Sequence, residues 1–504
     1  MPIDLSTPGG VALGLLPEII LTGWALILLL FIGWRHEAPD SHRTAAAITL
    51  VALLSALGAV AWLWMGGARP EGLPLMIAVD GFRWAMSVIF LVGAAAAVLM
   101  SYGYLGRERI LVPEFYPLLL FATVGTMLMG GAADLIVIFL GLELMSLAVY
   151  VLAAIKRRSA ASAEAGLKYF LLGAFASGFL LYGIALIYGA TGTTNLHTIA
   201  FQIADAGAAG RPMLAIGIAL LLVGFGFKVS AVPFHMWAPD VYDGAPTPVT
   251  AFMAAAVKAA GFAALMRVAL TAFGDVSVTW QAALWWLAVF TMIVGNVVAL
   301  AQRRIKRMLA YSSIAHAGYL LVAVTAGTAA GGSAFVFYAL VYTLMTVGAF
   351  GVLVAVGRDG ESGVAIDDLN GLAQRRPWLA LALAVFMLSL LGFPGTAGFI
   401  GKWLILSAAV GADQGLLAVL LVIASVISAG YYLPVIMAMY MKPVDDPELA
   451  ERATLMGGAR VVVAAAAVAL LLFGVWPNRL LDVARSTGDD LRSPAGTLLG
   501  LPDR

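Results

Sequence analysis

Apolar runs of about twenty residues recur along the whole of this 504-residue chain. A helix of about that length crosses the hydrocarbon core of a bilayer. Inside that core every backbone N–H and C=O must be satisfied within the protein, so only helices and closed barrels span it. Runs this long exceed a barrel strand and predict helices. Hydrophobic residues make up 62% of the chain and charged residues 11%, against about 25% charged in soluble domains. The fold class expected is therefore an all-α integral membrane protein with about fourteen spans. These run roughly over 13–34, 44–66, 80–101, 115–130, 132–154, 164–189, 213–236, 248–272, 276–300, 307–327, 332–357, 378–410, 415–440 and 458–476. The opening MPIDLSTPGG has neither a basic region nor a small-residue cleavage site, so the first run reads as a retained span.

Composition narrows the function. A net charge of +1 gives no field that would gather nucleic acid, so none is expected as a partner. Without cysteine there is no disulfide, iron–sulfur cluster, haem thioether or thiolate zinc site. No metal site and no redox centre are expected in this chain. Basic residues set the orientation. Connections after odd-numbered spans hold Arg35, Arg43, Arg107, Arg109, Lys156, Arg157, Arg158, Arg303, Arg304, Lys306, Arg307, Arg358, Arg375, Arg376, Lys442, Arg452 and Arg460. Those after even-numbered spans, with nearby helix ends, hold Arg69, Arg83, Arg211 and Arg267. The positive-inside rule puts the odd connections in the cytoplasm and both termini on the opposite side. Arg479, Arg485, Arg492 and Arg504 make the tail mildly basic.

Two spans are interrupted by glycine and proline, the seventh (GFGFKVSAVPFH) and the twelfth (LLGFPGTAGFIGK). Such a pair in corresponding positions points to an ion or substrate site in an inverted-repeat transporter. The separations from Lys228 to Lys402, from Glu143 to His316 and from Ser162-Ala163 to Ser333-Ala334 agree to within a few positions. A near-constant offset of five spans predicts that spans four to eight (115–275) recur upside down as nine to thirteen (276–441). The segment 1–114 precedes them, and 442–504 holds the last span and the tail.

Lys228, Lys258, Lys402 and Lys168 lie inside or beside these apolar runs, four of only seven lysines. A charge at mid-bilayer costs about 2.5–3.5 kcal/mol on insertion scales and marks a functional site by default. A buried lysine can also give up its proton where an exposed one would not. Glu143, in GLELMSL, is the carboxylate expected to act on Lys228; the bland alternative is an ion pair that fixes helix packing. Lys228 sits midway along its run, which argues against an amine that merely snorkels to the interface. Lys258 is set among small residues (AAAVKAAGF), where helices approach closely. His316, in SSIAHAGY, is a candidate shuttle or a packing histidine bonded to Ser312 and Ser313. Lys168 follows Glu164 by one turn, which alone gives an interfacial pair. His235, near Asp240 and Asp243, is placed at a cytoplasmic mouth.

The segments GLELMSL, SAEAGLKYFLLGAFASGFLLYG, GFGFKVSAVPFHMWAPDVYDGAPTPVTAFM, RIKRMLAYSSIAHAGY and GFPGTAGFIGKW resemble the antiporter-like subunits of proton-pumping NADH:quinone oxidoreductase, respiratory complex I. The resemblance covers roughly 10–440 and is most specific from Pro233 to Val249. Lys402 in the second broken span, the short chain after the fourteenth, and the SAEAGLKYFLLGAFASG segment are most similar to the N-type branch. The resemblance implies fourteen helices with two inverted five-helix repeats and broken helices 7 and 12. It implies Glu143 and Lys228 as a coupled pair, Lys258 as the central relay, His316 as the bridge and Lys402 as the terminal group. Glu164 and Lys168 inherit no firm role, and nothing carries over to the tail. NADH, FMN, iron–sulfur clusters and quinone would belong to partner subunits, with M-type and K-type membrane subunits as neighbours. The location implied is a bacterial cytoplasmic (inner) membrane, multi-pass. Two alternatives stay open: a sodium/proton antiporter subunit of an Mrp-type complex, and a structural scaffold between pumping subunits.

Overall fold

The structure, a computed structural model, describes residues 1–35, 41–71, 76–110, 112–203, 210–357, 365–443 and 457–491. Arg358 and Arg452 of the basic connections, and Arg492 and Arg504 of the tail, lie outside the described residues. The main helices are α1 (Leu16–Trp34), α2 (Ser41–Met65), α3 (Gly81–Arg107), α4 (Phe115–Gly131), α5 (Leu135–Ala153) and α6 (Ala160–Thr191). They continue as α7 (Gly210–Val229), α8 (Ala238–Gly244), α9 (Thr247–Ala272), α10 (Ser277–Leu300), α11 (Ile305–Thr325) and α12 (Ala329–Val356). The last are α13 (Pro377–Leu391), α14 (Ala397–Gly411), α15 (Gly415–Met441), α16 (Gly457–Val475) and α17 (Asn478–Asp489). Among the described residues, twelve of these helices are long and apolar enough to cross a bilayer, and α4, α13 and α14 are shorter apolar helices. Polar residues start many of them. Asp80 accepts from Arg83 N at 2.7 Å to open α3, and Asp134 accepts from Ile136 N at 2.8 Å to open α5.

Burial sorts the helices into an inner and an outer set. α9, α11 and α12 are buried almost throughout, whereas α1, α6 and α16 turn most of their apolar surface outward. The outward surface is what lipid or a neighbouring membrane chain covers. Of the candidate residues, Lys258 and His316 lie on the innermost helices, and Glu143, Lys228 and Lys402 lie on α5, α7 and α14.

The connections sort onto two faces. On one, Lys156 meets Glu108 at 2.9 Å, Arg304 meets Asp243 at 2.8 Å, Lys442 meets Asp367 at 3.0 Å, and Arg304 bridges to Ala365. On the other, the N-terminal strand Pro2–Ile3 pairs with Arg69–Pro70, Ile77 with Ala132, and Asp134 with Asn195. The α17 end joins this second face, where Asp490 accepts from Gly81 N at 2.9 Å. The N-terminal strand and the C-terminal helix thus share a face, and the described connections that carry Lys156, Arg304 and Lys442 share the other.

Two helix pairs, α4/α5 and α10/α11, pack at backbone distance. A Cβ on Gly125 would lie 2.5 Å from Met145 N, and one on Gly295 would lie 2.6 Å from Ala315 N. The connections repeat as well. Leu196 N donates to Ala133 O at 2.9 Å on the second face, and Ile366 N donates to Arg303 O at 2.9 Å on the first. Gly125 to Gly295, Ala133 to Arg303 and Leu196 to Ile366 are one and the same step along the chain.

Candidate functional site

The first break follows α7. Ser230 takes a left-handed φ of 62°, and the chain runs without α-helix through Pro233 to Trp237. The carbonyls freed there are satisfied locally. Ala231 N donates to Gly226 O at 2.7 Å, and Trp237 Nε1 donates to Phe227 O at 2.9 Å. The helix therefore ends at Val229 rather than near residue 236, and Lys228 lies in its last turn rather than midway along a span. Proline has no N–H to give a helix, and the turn needed to accommodate it begins several residues earlier. Lys228 Nζ donates to Ser146 Oγ at 2.9 Å and Tyr169 OH at 3.3 Å, and lies 5.3 Å from the centre of the Tyr169 ring.

Glu143 is close enough for its charge to act on Lys228, yet it forms no ion pair with it. Its Oε1 is buried without a hydrogen-bond partner among the described residues. The expected coupled pair is thus separated in this conformation, with Ser146, one turn further along α5, holding the amine instead.

Lys258 lies where α9 widens into a π-turn at Met253–Val257; a second such turn spans Val268–Ala272. Turns of this kind are frequent at functional sites. Its Nζ donates to Ser313 O at 2.8 Å and also contacts Ser313 Oγ, 5.8 Å from the Tyr242 ring centre. His316, one turn beyond Ser312 and Ser313 on α11, bonds neither serine. Its Nδ1 meets Tyr338 OH at 2.7 Å and its Nε2 meets Tyr432 OH at 3.1 Å. Tyr432 OH in turn contacts Ser312 Oγ.

The second break, 392–396, uses Gly392 and Gly395 at φ 88° and 90°, where glycine avoids the clash a Cβ would make. Lys402 lies after this break, in α14, and donates to Leu391 O at 2.9 Å across it. Its Nζ is 4.7 Å from the Tyr319 ring centre. Lys228 precedes its break and Lys402 follows its own, so the two are not equivalent positions of broken helices. The step that relates the connections also sets His316 against Ser146, and Ser313 against Glu143. The slightly longer separation between the ionisable residues pairs Glu143 with His316 instead.

Lys168 and Glu164 stand apart from this line. Lys168 is partly exposed, pairs with Glu164 and with Asp240 at 2.7 Å each, and sits at the first face. Asp240 also receives Arg307 at 2.9 Å. Glu164, Asp240, Asp243, Arg304 and Arg307 border a cavity of about 310 Å³ open to that face. His235 lies in the first break with Nδ1 buried and unpartnered among the described residues. The partners the sequence did not single out are Ser146, Tyr169, Tyr338 and Tyr432; Ser313, named there beside His316, holds Lys258 instead. Of the four, only Ser146 carried a signal, being within one turn of Glu143.

The chain matches the profile of the family described as NADH:quinone oxidoreductase/Mrp antiporter, TM, over residues 132–428. It is 48% identical over 496 residues to NADH-quinone oxidoreductase subunit N of Gemmatimonas aurantiaca, which covers 96% of this chain and 94% of that one. A chain of respiratory complex I from Thermus thermophilus, solved with bound aureothin, superposes with a TM-score of 0.77 at 39% identity, over 93% of this chain and 99% of that one. A chain of the Mrp complex from Dietzia sp. shares the fold, with a TM-score of 0.82 at 22% identity, over 96% and 99%.

Proposed function

This chain belongs to the NADH-quinone oxidoreductase subunit N family, and from that premise we propose that it moves protons across a membrane within an NADH:quinone oxidoreductase. The observation that carries the reading is the set Lys228, Lys258 and Lys402. Each is buried, each is held by hydroxyls or a carbonyl, and none has a carboxylate within ion-pair reach among the described residues. No counter-ion pins the proton to the amine, which suits a group that hands it on.

In this reading Glu143 is the switch. As its charge nears or leaves Lys228, the proton there is held or released toward Lys258, His316 and Lys402. Glu164, Lys168 and His235 belong to the first-face mouth. The twelve long helices, α4, and α13 with α14 as two halves make fourteen crossings. The equally spaced connections, on opposite faces, support two inverted repeats over 115–275 and 276–441. The chain supplies no redox centre; NADH, FMN, iron–sulfur clusters and quinone belong to partner subunits, and M-type and K-type subunits are the expected neighbours. The membrane is the bacterial inner membrane, with the second face, and so both termini, periplasmic.

The Mrp-like fold match is a likeness of fold alone. The test is NADH-driven proton pumping by the assembled complex in vesicles with Lys258→Ala. Loss of pumping with the complex intact is expected. Undiminished pumping per NADH would sink the relay, and sodium exchange without NADH would favour the antiporter reading.

A further inference from the structure

His316 is held at both ring nitrogens by tyrosine hydroxyls that come from two other helices. Tyr338 OH on α12 lies 2.7 Å from Nδ1, and Tyr432 OH on α15 lies 3.1 Å from Nε2. Tyr432 OH also contacts Ser312 Oγ, one residue from the serine that holds Lys258. All four groups are buried. At the far end the Tyr338 ring packs against Gly401, next to Lys402. No side chain in this row carries a fixed charge. Each hydroxyl can donate or accept, and the imidazole can hold its proton on either nitrogen. Lys258 and Lys402, in contrast, share no direct hydrogen bond with His316.

Resting on the proton-translocation reading, we propose that Ser312, Tyr432 and Tyr338 are relay residues, forming with His316 one hydroxyl–imidazole–hydroxyl wire between Lys258 and Lys402. Ser312 Oγ accepts one proton from the Lys258 side and passes its own hydrogen to Tyr432. Tyr432 passes its hydrogen to Nε2, the imidazole releases the hydrogen on Nδ1 to Tyr338, and Tyr338 releases its own toward Lys402. One proton enters, one leaves, and no group gains or loses electrons. The wire is left with reversed polarity. Rotation of the hydroxyls and turnover of the imidazole ring restore it, a movement hemmed by the Tyr319, Tyr338 and Tyr342 rings with centres 5.1–5.9 Å away.

The test uses the assembled complex in vesicles with Tyr432→Phe, Tyr338→Phe, the double variant and Lys258→Ala, measuring protons pumped per NADH in H₂O and D₂O. Phenylalanine keeps the ring and its packing, so the complex is expected to assemble. Pumping in each single variant should fall about tenfold or more, with a larger solvent isotope effect, and the double variant should be no worse than a single. A packing defect would leave the isotope effect unchanged, and that result overturns the proposal. Wild-type pumping in both single variants, with Lys258→Ala inactive, overturns the wire and leaves the translocation reading standing. Wild-type pumping in Lys258→Ala overturns both. If either tyrosine variant fails to assemble, the other and Ser312→Ala decide by the same two readouts.

Discussion

What separates Lys228, Lys258 and Lys402 is the group that receives each ammonium. Lys258 and Lys402 are held by backbone carbonyls, which no substitution removes, whereas Lys228 depends on two side-chain hydroxyls. Ser146→Ala together with Tyr169→Phe should therefore strand the Lys228 amine without hydrogen-bond acceptors. A buried donor left unsatisfied costs about 1–3 kcal/mol, more when charged. Proton pumping per NADH should fall about tenfold or more in a complex that still reduces quinone, read by dye quenching in vesicles. Undiminished pumping would show that Glu143 alone suffices to set Lys228. The charged members of this site were legible in the sequence because a charge inside an apolar run is costly. The hydroxyls were not, because tyrosine and serine sit in membrane helices at little cost and give no periodic signal. The Asp240 partner of Lys168 was hidden for another reason, since it lies far along the chain and only the fold brings it near.

At the scale of elements, length and hydropathy located the helices well but misjudged where a broken one stops. Pro233 reads as lying inside the seventh span, whereas the backbone leaves the helix at Ser230 so that proline never enters it. The proposed repeat rests in the sequence on an offset between rare residues, whereas the equally spaced backbone contacts give a slightly shorter step and carry no sequence signature. Gly125 and Gly295 are the most direct probes of that step, each facing the backbone of its partner helix. Here a methyl group has no soft side chain to push aside. Gly125→Ala and Gly295→Ala should each destabilise by about 1–3 kcal/mol, the usual cost of overpacking. Thermal unfolding in detergent should show a similar drop in Tm for both. A large effect from one and none from the other would count against equivalent helix pairs in the two halves.

Taken as a whole, the molecule has two faces of different character. The first carries the basic connections and the polar cavity, and the second is tied together by backbone pairing and sealed by the C-terminal helix. Nothing in the sequence hinted at the seal, because the tail after residue 476 carries no motif and its partners belong to helices far away along the chain. α17 lays Ala484, Thr487 and Gly488 inward, and Gly488 packs against Ser333 and Ala329. Leu491 O accepts from Thr271 at the end of α9, and Asp490 caps α3 beside the Asp80–Arg267 ion pair. Burial first, then the Asp80 carboxylate, push the Asp490 carboxyl up to about 6, against the Gly81 N–H and the guanidinium groups of Arg267 and Arg69. Undocked, the same carboxyl would titrate near its ordinary value of about 4. The docked tail thus holds its proton more tightly, so protonation favours docking. That stabilisation is full below about pH 4, declines as pH rises through about 6, and is absent above. Asp490 keeps part of its surface in solvent, which screens the effect and keeps it modest. Amide hydrogen exchange over 478–491, corrected for intrinsic rates, should show protection rising as pH falls from about 7.5 to about 5. In Asp490→Asn the protection should be flat with pH and, at neutral pH, higher than in the unaltered protein. A flat profile in both would mean that Asp490 does not couple the tail to the acidity of the second face.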